Sequence, residues 1–296
     1  MSADIGLRLN PILVHEFERQ MRSRYTHLAL TVYLVVVGSL AVLLYTTSFL
    51  SSTRTVGSNG AVGAAVFYFL VGVLLILTTF IVPAIAANAI SEERQSLTLD
   101  LLRLTPSGGG YIVGAKLAAR FGFAVLLLIV MLPLFSLAFM LGGVELRDLG
   151  IAVGIVLMSM LTYLLIGICV SAHAKTTAGA LALTYTIVLS TAIGTPLIAL
   201  LNAATLFGRL PTSPQDISAA LAVLLDAATN AGLGVSPIST TVFALSGLAS
   251  GTNIWLNVSF SGSAVLPTPL IFFIAIHLIS SAVCYAAAVR RVNAPD

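Results

Sequence analysis

The sequence predicts an all-α integral membrane protein. It has six transmembrane helices, an N-terminal amphipathic helix on the membrane surface, and a re-entrant segment between spans five and six. Three observations carry this. Of 296 residues, 58% are hydrophobic and 8% charged, where a soluble domain carries about 25% charged residues. The mean hydropathy is +1.05. Six stretches (28–50, 61–90, 117–142, 150–172, 177–201 and 265–289) lack Asp and Glu and hold one basic residue, Arg120. Each reaches the roughly 20 residues that a helix needs to cross a bilayer.

Residues 8–27 read as the surface helix. Asn10 suits the N-cap and Pro11 the first helical position. Leu13, Phe17, Met21 and Tyr25 recur every fourth residue as one apolar stripe, while Glu16, Glu18, Arg19, Arg22 and Arg24 take the other faces. A basic amphipathic helix before a span suits the headgroup layer; the alternative is a solvated helix that only sets orientation. The first 27 residues mix acids and bases, so no cleavable signal peptide is expected.

The six spans read as helices, because backbone groups in lipid must be satisfied within the segment. Each is also far longer than a barrel strand of about 10 residues. Pro83, Pro133 and Pro196 are candidate kinks, and Gly150 with Gly154 is a candidate close-packing pair. With the N-terminus inside, eleven basic residues fall on the cytoplasmic side and Arg54, Arg147 and Arg209 outside, accounting for all 14. That asymmetry makes both termini cytoplasmic.

Two connections stand out. Ser91 to Gly110, SEERQSLTLDLLRLTPSGGG, holds Glu92, Glu93, Arg94, Asp100 and Arg103, five of the 14 basic and 11 acidic residues. A charge cluster in so apolar a chain reads as a cytoplasmic loop whose short helix docks on a soluble partner, or as a solvated loop that fixes topology. Residues 202–264 carry only Arg209, Asp216 and Asp226, and their apolar patches, 217–225 and 238–249, are too short to span. Such runs suit re-entrant or interfacial pieces, or else a small extracytoplasmic cap.

The run PAIAANAISEERQSLTLDLLRLTPSG resembles the first cytoplasmic loop of ABC-2 type permeases, the membrane subunits of one class of ABC transporter. The matching residues are Pro83-Ala84, Glu92-Glu93-Arg94, Thr98-Leu99-Asp100-Leu101-Leu102 and Thr105-Pro106; Leu97 stands where that family usually has Gly. NPILVHEFERQMRSR is similar to the family's entry segment. The resemblance implies a permease for ATP-driven export, with a second permease copy or paralogue and two ATP-binding subunits that hold ATP and Mg. It implies that helix 97–105 fits a groove on that subunit. Leu101 and Leu104 would be buried there, Asp100 and Arg103 would pair at the rim, and Glu92 and Glu93 would meet the partner's basic residues. It also implies a lid dipping back from outside between spans five and six, and a bacterial or archaeal inner membrane as the setting.

Other chemistry is sparse. A net charge of +3 is too small to argue for nucleic acid. Lys175-Thr176-Thr177 ends like a phosphate loop but lacks its glycines, so no cofactor is expected on this chain. His15-Glu16 is followed by Arg at position 19, which rules out a zinc-protease pair. No catalytic constellation or metal site is expected, and Cys169 and Cys284 lie in apolar runs without metal spacing. His277, at depth in the last span, is either a proton site lining a path or a hydrogen-bond partner between helices. The shortage of intramembrane charge argues against an ion-coupled carrier or channel. A non-transporting anchor or assembly factor is the other rival.

Overall fold

The computed structural model describes residues 31, 33–43, 45–46, 59–95, 108–197, 219–258 and 265–294. The expected surface helix, with Leu13, Phe17, Met21 and Tyr25, and the expected docking helix 97–105 lie outside these residues.

In chain order the elements are α1 (Tyr33–Leu43), α2 (Asn59–Ala87) and α3 (Ser91–Gln95). Next come α4 (Gly109–Leu141), α5 (Leu146–His173) and α6 (Thr177–Leu189), the last continued by a π turn at Ser190–Gly194. Then follow α7 (Ala219–Val235), α8 (Pro237–Ala249), strands β1 (Leu256–Val258) and β2 (Val265–Pro267), and α9 (Pro269–Asn293). Among the described residues five helices, not six, are long and apolar enough to cross a membrane: α2 with α3, α4, α5, α6 and α9. The described part of α1 is apolar but short, and α7 and α8 form a pair bent by 113° that makes a sixth if counted as one span.

The helix bounds follow local chemistry. α5 starts with a reciprocal cap: the Glu145 side chain accepts from the Asp148 amide, and Asp148 Oδ2 accepts from the Glu145 amide at 2.9 Å. α6 starts at Thr176, whose hydroxyl accepts from the Gly179 amide at 3.2 Å. The α4–α5 turn takes Gly142 and Gly143 at φ 83° and 79°, where a side chain would be strained. Two expected bounds are corrected. The third span begins at Gly109 rather than 117, so Lys116 joins Arg120 inside the helix, and both are buried. The sixth begins at Pro269 rather than 265, because 265–267 pairs antiparallel with 256–258 and Thr268-Pro269 supplies the cap and first helical position. The all-α expectation therefore gains one short hairpin.

α5 is the centre of the bundle and packs against α2, α4, α6, α8 and α9. Its Met160, Tyr163 and Leu164 meet Phe67, Leu70 and Leu74 of α2 and Met131 and Phe135 of α4 in one core, with the Phe67 and Phe135 rings 5.7 Å apart. Close approach occurs at Gly167, where a Cβ would collide with Ala86 of α2, whereas Gly150 and Gly154 face open space. The expected close-packing pair is thus corrected: α2 crosses α5 near its far end, at Gly167.

Pro196 shapes α6. Having no N–H, it cannot donate to the carbonyl four residues back, Ala192. The helix widens there into the π turn, with the Thr195 amide reaching Ser190 O. Ser236, fully buried at the α7–α8 bend, donates its hydroxyl to Ala192 O at 2.7 Å. α7 crosses the start of α9 at Gly234, where a Cβ would meet Phe272 and the Pro269 carbonyl. The bent pair is therefore wedged against α5, α6 and α9 with its apex inside the bundle.

This pairing of Pro196 with Ser236 is testable by a mutant cycle. Ser236→Ala is expected to lower stability in detergent by about 1 kcal/mol, since it orphans a buried carbonyl. In a Pro196→Ala background the new amide can donate to Ala192 O, and the cost of Ser236→Ala should nearly vanish. Thermal unfolding of the four proteins measures it; equal costs in both backgrounds would count against the account.

Candidate functional site: a polar elbow at one end of the bundle

Short links force neighbouring helices to run antiparallel. The end of α2, the start of α4, the end of α5, the start of α6 and the end of α9 therefore share one end of the bundle, and the 96–107 connection leaves and returns there. Both of its roots are held by tertiary contacts.

The upstream root is the elbow where α2 stops and α3 begins. Pro83 sits inside α2 four residues before its end, and the last carbonyls of any helix lack amide donors. Here the last three find one. Arg120 Nε donates to Ile85 O at 3.0 Å, the Ala89 amide to Ala86 O at 3.0 Å, and Ser91 Oγ to Ala87 O at 3.0 Å. Ser171 Oγ of α5 accepts from both the Ile90 and Ser91 amides at 2.9 Å, which seats the first turn of α3 on α5.

The same logic closes the end of α5. Ala174 N donates to Val170 O, and Arg94 reaches across to donate to Ala172 O and Ala174 O at 3.1 and 3.0 Å. A guanidinium at a helix C-terminus satisfies carbonyls and opposes the negative end of the helix dipole. Thr177 of α6 donates to Gln95 Oε1 at 3.2 Å. α3 is thus bound along its length to the α5–α6 turn.

Glu93 carries the link to α4. Its Oε1 pairs with Lys116 Nζ, and the side chains are 20% and 1% exposed. Arg120, one turn beyond Lys116 on the same face, also donates to Lys116 O. The downstream root is gripped from elsewhere. Gly108 supplies no side-chain cap for α4, and the Gly109 amide donates instead to Asn293 Oδ1 at 2.9 Å. Tyr285 OH donates to Gly110 O at 3.3 Å, so the last turns of α9 hold the start of α4.

Of the residues expected from sequence, Glu92 is exposed on α3, while Glu93 and Arg94 are half-buried in the elbow. The basic neighbour of Glu93 is Lys116 of this same chain, where a partner's residue was expected. Thr98, Asp100, Leu101, Arg103, Leu104, Thr105 and Pro106 lie outside the described residues. His277 is buried far from the elbow; its Nδ1 donates to Phe273 O one turn back at 3.0 Å, with the two rings 4.0 Å apart. Sequence reasoning did not single out Lys116, Ser171 or Asn293. Lys116 and Arg120 at i and i+4 were the one available signal. Among the described residues no three His, Cys, Asp or Glu side chains gather as a metal site.

The sequence of this multi-helix apolar bundle matches the family model described as ABC-2 family transporter protein over residues 10–293. The chain belongs to the ABC-2 transporter family. It is a multi-pass membrane protein and an ABC transporter permease. Permeases of this family are in general non-catalytic membrane subunits that work with an ATP-binding subunit. A comparison with curated proteins found no match.

The elbow's energetics give a second prediction. Lys116→Met removes the ion pair to half-buried Glu93 and is expected to cost about 2–3 kcal/mol, below the range for a fully buried pair because Glu93 is partly exposed. Lys116→Arg should keep most of the stability. Thermal unfolding in detergent distinguishes the two, and a Met variant as stable as the native chain would remove the pair from the account.

Proposed function

We propose that this permease forms half of an export pathway and is driven through the 91–110 loop by a separate ATP-binding subunit, with two copies of each in the transporter. The observation that carries this reading is the elbow. Donors for the ends of spans can be local caps; at these roots most come from other helices. Here Ser91, Glu93 and Arg94 fasten one root to α5 and α4, and Asn293 fastens the other to α9. A push on the loop reaches the central helix directly. Glu92 stays on the exposed side of α3, where it and the following segment through Pro106 would meet the partner; ATP and Mg would be held on that partner.

Orientation follows from charge. Among the described residues Arg94, Lys116, Arg120, Lys175, Arg290 and Arg291 lie at the elbow end and Arg147 at the other. The elbow end is therefore cytoplasmic by the positive-inside rule, and both termini with it. The α7–α8 pair then enters from outside as a re-entrant lid, latched to α6 through Ser236. α6 suits the pathway face: it is the least apolar of the five long helices, and its outward side, with its continuation, carries Ala182, Thr186 and Ser190 beside Leu183, Ile193 and Leu197.

The test is a pull-down of the solubilised permease from native membranes, with mass spectrometry and an ATPase assay. An ATP-binding subunit should be recovered with the native chain. Glu92→Lys/Asp100→Lys should cut that recovery about tenfold, a change of ~1.4 kcal/mol, at unchanged membrane level. Recovery of the permease alone, without ATPase, would favour a carrier or an anchor.

A further inference from the structure

From Ala227 to Val289 the chain has no charged residue. A segment this long in water carries charge on about a quarter of its residues, so something apolar covers it. α9 crosses the membrane and accounts for its own share. The strands just before it are too short to cross, yet this stretch presents an apolar surface: Trp255 is 48% exposed, Leu256 47% and Val265 63%. The hairpin register puts Leu256 and Val265 on one face and the buried Leu266 on the other. Trp255 is the only tryptophan in the protein.

The height of this surface is set by α9. The Thr268 amide donates to Trp255 O at 3.1 Å, and its hydroxyl donates to Ile254 O. Asn253 Oδ1 accepts from the Trp255 amide at 2.9 Å, which fixes the turn locally. Trp255 therefore cannot slide along the first turn of α9. From Thr268 to Arg290 that helix rises about 33 Å, and the hydrocarbon core is about 30 Å thick. With Arg290 at the edge of the core on the side of its headgroup layer, Trp255 falls close to the opposite edge. That is the layer in which an indole is most favourable, with its ring in the acyl boundary and its N–H in reach of polar groups.

We infer that Trp255, Leu256 and Val265 form an interfacial anchor that seats the hairpin in the phospholipid headgroup–acyl boundary of the leaflet opposite Arg290. Lipid is the occupant because the face lies at boundary depth and leads through β2 directly into α9, whose Leu278 and Ile279 are exposed. The anchor also sets the depth of the bent pair, since Asn230 Nδ2 of α7 donates to Pro267 O of β2 at 3.3 Å.

The lone tryptophan makes the test direct, with the full native chain in nanodiscs. Lipids brominated near the carbonyl are expected to quench Trp255 fluorescence several-fold more than lipids brominated near the chain end, with blue-shifted emission and little quenching by iodide. Strong iodide quenching with none by lipid would make this region a water-exposed cap. Strongest quenching from the chain end would place it in the core, and no quenching by any agent would mean protein covers it. Each of these three results overturns the anchor.

Discussion

A carbonyl at the end of a helix cannot be left unpaired in a bilayer, because lipid offers it no donor. This protein spends much of its small polar allotment on that constraint. Arg120 and Ser91 serve the end of α2, Arg94 the end of α5, Ser236 the gap that Pro196 opens in α6, and Thr268 and Asn230 the chain around the hairpin. Each donor is remote in sequence from the carbonyl it serves, except Ser91, which lies one turn beyond Ala87. Satisfying the backbone and tying the helices together are therefore the same act.

The consequence is uneven rigidity. Within the spans the helices touch mostly through apolar side chains and small residues, as at Gly167 against Ala86, with single hydrogen bonds such as Thr162 to Ser281 and Tyr185 to Phe80 O. At the elbow they are joined by several directional bonds together, some of them to charged groups. α3, the α5–α6 turn and the start of α4 should move as one body, with the end of α9 bound to them through Asn293. A subunit acting on the 96–107 connection would move that body and, through α5, the neighbours packed on it. The far end is constrained by a different set of bonds, those of Ser236 and the hairpin, so the two ends can respond separately.

The spans were legible because length and lack of charge leave little choice, and their bounds drifted only where a non-local partner decides. Val265–Pro267 reads as apolar helix until its pairing with 256–258 is known. Gly109 reads as loop until Asn293 caps it. The charge-poor sequence pointed to Glu93 and Arg94, since charges are rare enough here to stand out. What it could not supply was the other half of each bond: the carbonyls of Ala172 and Ala174 and the hydroxyl of Ser171 lie about 80 residues away and have no signature of their own. The glycine pair at 150 and 154 shows the converse, a pattern with nothing packed against it.

The claim that the elbow is one rigid body is tested most directly by pulsed electron-spin distance measurement. Labels would sit on the exposed positions Tyr111→Cys at the start of α4 and Lys175→Cys in the α5–α6 turn, with Cys169 and Cys284 replaced by alanine, in the assembly proposed above. The account predicts that the 111–175 distance within one chain stays narrow and unchanged when ATP binds, while the 111–111 distance between the two proposed permease copies shifts. A 111–175 distance that broadens or moves by several ångströms on adding ATP would contradict it.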